Sequence, residues 1–209
     1  MAPRLALDIE TVPTVTDPSF DDPSDWKPFC LTVGYQSGCG ESVETEVLLR
    51  QGSTFRYERL MFDDFFDWVC DRHDTSNRIE LVTYNGQNYD IPILKDRAYK
   101  IAGELDSDTI DRLYLLLQAC DHADLILDLK ANLGYFCSLD DALAMHNIEA
   151  DAPMWNGSKV TGKDMLSMGE KIMQGKASDE LIEAVRRYAA SDVRPLFNLH
   201  DKIKQKTTP

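Results

Sequence analysis

The sequence predicts an α/β fold in which helices flank a mixed β-sheet. Three observations carry that expectation. Three strand-like segments come first, helix-like and strand-like segments then alternate, and helices close the chain. The 209 residues are 43% hydrophobic, enough for one domain over residues 1–209. No internal repeat or linker divides them.

The elements follow in order. Residues 4–10, RLALDIE, alternate and then fill with apolar side chains, as a buried strand does. Residues 12–28 hold four prolines and many acids and read as a surface loop. Residues 29–36 and 43–49 read as two strands around a Gly-containing turn. Residues 57–71 carry apolar side chains at helical spacing, with Asp63, Asp64, Asp67 and Asp71 on the wet side. A short strand over 79–84 stops at Asn85-Gly86. A helix over 90–102 follows, with Pro92 in its first turn, where a missing N–H costs nothing. A second helix covers about 108–119, and residues 124–129, DLILDL, read as a further strand. Ser138 caps a helix over 138–146. Helices near 162–173 and 178–205 end the chain, the last capped by Ser178 with Asp179 and Glu180 in its first turn.

Bulk composition narrows the function classes. No apolar run approaches the ~18 residues of a membrane helix, and the first residues lack the apolar core of a signal peptide. A soluble, cytoplasmic protein is expected. Five cysteines form no CxxC pair, and Cys70 with His73 lacks the second pair that a zinc site needs. The net charge of −14 is a poor footprint for holding phosphate through lysines alone. Bound cations would change that local field.

Three groups of residues carry chemistry. Asp8 and Glu10 lie two apart on the first strand, so both carboxylates share a face. Acids at the edge of a core are costly unless paired or metal-bound; the alternative is that Glu10 belongs to the loop and Asp8 caps it. Asp90 follows a strand and a turn, Tyr84-Asn85-Gly86-Gln87-Asn88-Tyr89, where α/β sheets gather functional groups; the alternative is a plain helix cap. Tyr188 and Asp192 share a face of the last helix; the alternative is a core tyrosine beside an Asp192–Arg194 pair.

Taken together and in this order, LALDIET at 5–11, YNGQNYDIPIL at 84–94 and YAASD at 188–192 resemble the three exonuclease motifs of the DEDD superfamily. Tyr188, four residues before Asp192, marks the DEDDy branch. The middle motif is most similar to the proofreading exonuclease domain of family B DNA polymerases and its free-standing relatives. The resemblance spans residue 5 to about 200, with Leu125–Leu129 resembling the apolar strand between the second and third motifs. The acidic loop at 12–28 departs from it, as does a length with no room for a polymerase domain.

The resemblance implies a ribonuclease H-like fold and a two-metal 3′→5′ exonuclease using Mg²⁺ or Mn²⁺, which releases nucleoside 5′-monophosphates. Asp8, Glu10, Asp90 and Asp192 would be the metal ligands, and Tyr188 would orient the attacking water. Thr11, Asn85 and Tyr89 would contact the terminal nucleotide. Lys95, Arg97, Lys100, Lys202, Lys204 and Lys206 are candidates for the nucleic-acid backbone. The expected partner is a nucleic-acid 3′ end, DNA over RNA, with a polymerase or other replication or repair protein as a further partner and no membrane. The rival readings are an RNA-trimming enzyme similar to ribonuclease D and a catalytically silent accessory module that binds nucleic acid or a polymerase.

Overall fold

A computed structural model describes residues 3–74, 76–151 and 153–207. Its centre is a five-stranded sheet in the order β3-β2-β1-β4-β5. β1 (Arg4–Pro13) runs antiparallel to β2 (Trp26–Gln36), which is antiparallel to β3 (Glu44–Leu49). On the other side β1 runs parallel to β4 (Ile79–Thr83), and β4 parallel to β5 (Cys120–Asp124). The expected mixed sheet with flanking helices is therefore what the chain forms.

Helices cover both faces, which is why β1 is buried along nearly its whole length. Odd β1 residues Leu5, Leu7 and Ile9 pack with Phe62, Phe65 and Phe66 of α1 (Phe55–Cys70) and with Ile93 and Leu94 of α2 (Asp90–Leu105). Leu113 and Leu116 of α3 (Thr109–Ala119) complete that layer. The opposite face meets α4 (Leu125–Leu133), α5 (Leu139–Met145), α6 (Gly162–Met173), α7 (Asp179–Val193) and α8 (Leu196–Thr207). A two-stranded hairpin, β6 (Met154–Trp155) and β7 (Ser158–Lys159), turns through Asn156-Gly157, both at positive φ. Gly34 of β2 lets α7 and α8 approach: a β-carbon there would lie 2.9 Å from Val193 and 3.0 Å from Phe197.

Several expectations need correction. DLILDL is not a strand; the strand is the preceding Cys120–Asp124, and Leu125 opens α4. Leu125, Ile126 and Leu129 are buried at helical spacing, and a short apolar run cannot tell helix from strand by periodicity alone. Gly134, at φ 82, ends that helix. The expected helix over 178–205 is two helices, broken at Arg194-Pro195, where proline has no N–H to continue the ladder. The 12–28 segment is more ordered than a plain loop. β1 runs on to Pro13, Asp22 caps a 3-10 turn over Pro23–Asp25, and β2 opens at Trp26. Asp63 and Asp67 are not merely solvated, since both pair with Arg112.

The basic residues offered for strand binding are mostly engaged elsewhere. Arg97 is buried in a two-pronged pair with Glu58, both bonds 2.7 Å. Lys100 pairs with Asp96, Lys202 donates to the His146 carbonyl, and Lys204 bonds Glu80. The Lys95 ammonium lies 5.7 Å from the centre of the Tyr114 ring. The side chain of Lys206 lies outside the described residues. Among the described residues no helix is long and apolar enough to cross a membrane.

Candidate active site

The site forms where the sheet opens. β1 pairs with β4 only from Arg4 to Ala6, and beyond that point the two strands diverge. The Ile9 N–H, past the last paired residue, donates instead to Asp90 Oδ1 at 3.0 Å. Asp90, at the start of α2, is thereby pinned to the strand that carries Asp8 and Glu10. The ladder to β2 slips at the same level, between Glu10 and Thr11, where Pro28 takes a place that a regular ladder would refuse it.

Asp8 and Glu10 project toward α7, as the two-residue period requires, and α7 brings Asp192 to meet them. Ligand oxygens of Asp8, Glu10 and Asp192 all lie within 4.8 Å of one another. Ala189, Ala190 and Val193 pack α7 against the sheet and fix the helix rotation that aims Asp192 inward.

Crowding leaves an electrostatic signature. Burial pushes the Asp8 carboxyl well above its ordinary range, and Asp90, Glu10 and Asp192 push it further. Glu10 is raised by burial and then by Asp192 and Asp90. Asp90 is pushed up to about 7 by burial, with the Ile9 N–H opposing the rise. Asp192 is also pushed up to about 7, by burial and then by Asp140, while Lys159 and a hydrogen bond from Tyr188 pull it down. Carboxylates this close cannot all ionise without a compensating cation. An all-oxygen, all-carboxylate donor set suits a hard divalent ion.

Tyr188 lies one helical turn before Asp192. Burial and the neighbouring Asp192, Glu10 and Asp8 push its hydroxyl far above the ordinary tyrosine value, so it keeps its proton. It lines a cavity of about 140 Å³ with Asp192, Asp140, Lys159, Thr161 and Gly162. Thr11 Oγ1 and the Tyr89 hydroxyl share a hydrogen bond of 2.7 Å. Asn85 takes a left-handed φ of 66° and its side chain accepts from Asn88.

Of the eight site residues expected from the sequence, Asp8, Glu10 and Asp192 meet, Asp90 and Tyr188 lie close enough to exchange charge effects with them, Thr11 and Tyr89 bond each other, and Asn85 lies in the turn before Asp90. Three further residues escaped notice. Asp124, 5% exposed, accepts from the Asn85 and Gln87 amides at 2.7 and 2.8 Å and so shapes the turn before Asp90. Its position at the end of an edge strand with no apolar alternation gave no signal. Asp140 reads as a first-turn helix acid and Lys159 as a hairpin lysine. The fold pairs them at 3.5 Å on the cavity wall.

Comparison with known proteins adds the following. The model of the RNase_H superfamily matches residues 25–204. No curated protein matches the sequence. Exonuclease I from Methylocaldum szegediense is 15% identical at a TM-score of 0.47, with 100% of this chain covered. E. coli exonuclease I, solved in complex with a 5cy-dA13 oligonucleotide, is 14% identical at a TM-score of 0.45, again over 100% of this chain. In both cases the match spans only 41% of the other chain. The RNase domain of the yeast Pop2 protein is 14% identical at a TM-score of 0.44, over 82% of this chain and 75% of that one.

Proposed function

The chain belongs to the RNase_H superfamily, and from that premise we propose that it is a metal-dependent 3′→5′ exonuclease acting on single-stranded DNA ends. The observation that carries this reading is the convergence of Asp8, Glu10 and Asp192 within 4.8 Å from one strand and one helix far apart in sequence. The family match begins at residue 25, after β1, so the roles of Asp8 and Glu10 rest on geometry and on the motif resemblance.

Asp8, Glu10 and Asp192 would hold Mg²⁺ or Mn²⁺, with Asp90 supporting them. Such ions, when bound, activate water and neutralise charge on the phosphate as the bond breaks. The protein's own groups do the positioning. Asp90 is anchored by the Ile9 amide, so its carboxylate keeps a fixed place beside the cluster. Tyr188 stays protonated and orients the attacking water through its hydroxyl, rather than acting as the base. Thr11 and Tyr89, bonded to each other at the mouth of the site, present a hydroxyl pair and a ring to the terminal nucleotide.

The test is digestion of two 5′-labelled oligonucleotides, one DNA and one RNA, with Mg²⁺ or Mn²⁺ and with EDTA. A metal-dependent ladder shortening from the 3′ end of DNA supports the proposal. A ladder on RNA alone moves the substrate to RNA. No cleavage of either strand by folded protein with metal present would turn the reading to a silent binding module.

A further inference from the structure

The acidic 12–28 segment, which departs from the motif resemblance, does more than join two strands. It is held rigid by its own hydrogen bonds. The Thr14 amide donates to the Asp25 carbonyl at 2.7 Å, and the Ser19 amide donates to Asp25 Oδ2 at 2.9 Å. The Trp26 indole N–H donates to the Ser19 carbonyl at 2.7 Å. Two of its acids are thus used to fold the segment: Asp25 accepts from Ser19, and Asp22 caps the 3-10 turn.

The product of that folding is an exposed aromatic ring. Phe20 is 70% exposed, the second most exposed of the large hydrophobics in the described residues. It stacks on Trp26 with centroids 4.9 Å apart and an interplanar angle of 21°. Phe20 also lies 5.8 Å from Tyr89, and Trp26 lies 6.1 Å from Tyr89 edge-on. Tyr89 in turn bonds Thr11, next to Glu10, and precedes Asp90. A continuous aromatic path therefore leads from the carboxylate cluster to the surface.

A contact at Phe20 would work through its ring and not through charge, since Asp17, Asp21, Asp22 and Asp25 flank Phe20 and the nearby Arg50 and Arg97 are buried against Glu58. A flat ring on a fixed loop costs little entropy to present, and it accepts any base, because every base has a π-face.

We propose that Phe20 is an outer stacking station for the substrate strand, holding a nucleobase upstream of the terminal nucleotide placed at Tyr89. This rests on the exonuclease reading and extends it: the enzyme grips more than the residue it removes, without base preference, and needs a strand long enough to reach Phe20.

The experiment uses the full chain with Mg²⁺ and an oligonucleotide whose 3′-terminal linkages are phosphorothioates that resist hydrolysis. 2-Aminopurine is placed in turn at each of the last several positions. Binding is read by anisotropy and stacking by quenching of the probe. For Phe20→Ala the Kd is expected to rise roughly fivefold or more, the lower bound for loss of one base–aromatic stack. Quenching at one internal position is expected to disappear, and Phe20→Trp is expected to restore both. On cleavable DNA, KM rises for Phe20→Ala while kcat stays near wild type. Equal binding and unchanged quenching in folded Phe20→Ala protein overturn the station, and a wild-type ladder in the same series leaves the exonuclease intact. If the wild type binds through Phe20 but cuts nothing, the station stands and the exonuclease reading falls. If it binds neither DNA nor RNA, both fall.

Discussion

Replacing Asp192 with asparagine is expected to stabilise the metal-free protein while removing its response to metal. Burial and then Asp140 raise the carboxyl of Asp192 from 3.8 to about 7. At about 1.36 kcal/mol per unit, the ceiling on what this one ionised acid costs the folded state is about 4 kcal/mol. The repulsion is shared, since Asp192 is also a cause of the raised values of Asp8 and Glu10. Roughly half the ceiling, about 2 kcal/mol, is a fair expectation for the substitution. In a chain of this size that corresponds to a Tm rise of roughly 4–8 °C. The sign follows from linkage. A carboxyl raised in the folded state contributes stability in its protonated form, present at pH below about 4 and lost as pH climbs through about 7. The gain from Asp192→Asn should therefore be large at pH 7.5 in EDTA and small at pH 4.5. Thermal melts at the two pH values, with EDTA or Mg²⁺, measure it. Mg²⁺ should raise the wild-type Tm and leave the variant nearly unmoved. A variant that melts at or below wild type in EDTA at pH 7.5, or a gain that does not shrink on acidification, would refute the electrostatic account of the cluster.

Other perturbations test the supports. Tyr188→Phe should lower kcat roughly tenfold or more, the scale of one hydrogen bond to a charged group, while calorimetry still detects metal binding. Asp124→Ala leaves the Asn85 and Gln87 amides without their acceptor. A loss of roughly 2–4 kcal/mol in urea melts is expected, with lower kcat because the turn before Asp90 loosens. Glu58→Ala strands Arg97 and Arg50 in the core. It should cost about 3–5 kcal/mol although it touches no site residue. A loss under 1 kcal/mol would mean that the two guanidiniums find water instead.

What could be read from the sequence was whatever packing and chemistry mark locally. The apolar run around Asp8 and Glu10 announces a strand buried on both faces, and Pro92 and Ser138 mark helix starts that the fold keeps. The carboxylate set was legible because three spaced motifs constrain one another. Elements whose identity depends on neighbours were not. β5 is the sequence CDHAD, with only Asp124 fully buried, so an edge strand carries no hydrophobic period. The apolar residues beside it were read as the strand, although they belong to the helix that follows. Arg97 was misread for the same reason: one-dimensional spacing cannot tell a free cation from one whose partner, Glu58, lies 39 residues away.

The site also explains why so much structure is spent on holding it. A cluster of mutually repelling acids lowers stability, so it would spread apart on any support that could yield. Here each acid is tied by something outside the cluster. Asp8 and Glu10 sit on a strand packed on both faces. Asp90 is bonded to that strand's backbone, and the turn before it is clamped by Asp124. Asp192 rides on a helix wedged against Gly34 at its own next residue, Val193. The repulsion that the scaffold refuses to relieve by moving is one that protonation or a bound cation would relieve. That is why the metal-free wild type, rather than the Asp192→Asn variant, should be the weaker of the two proteins at neutral pH.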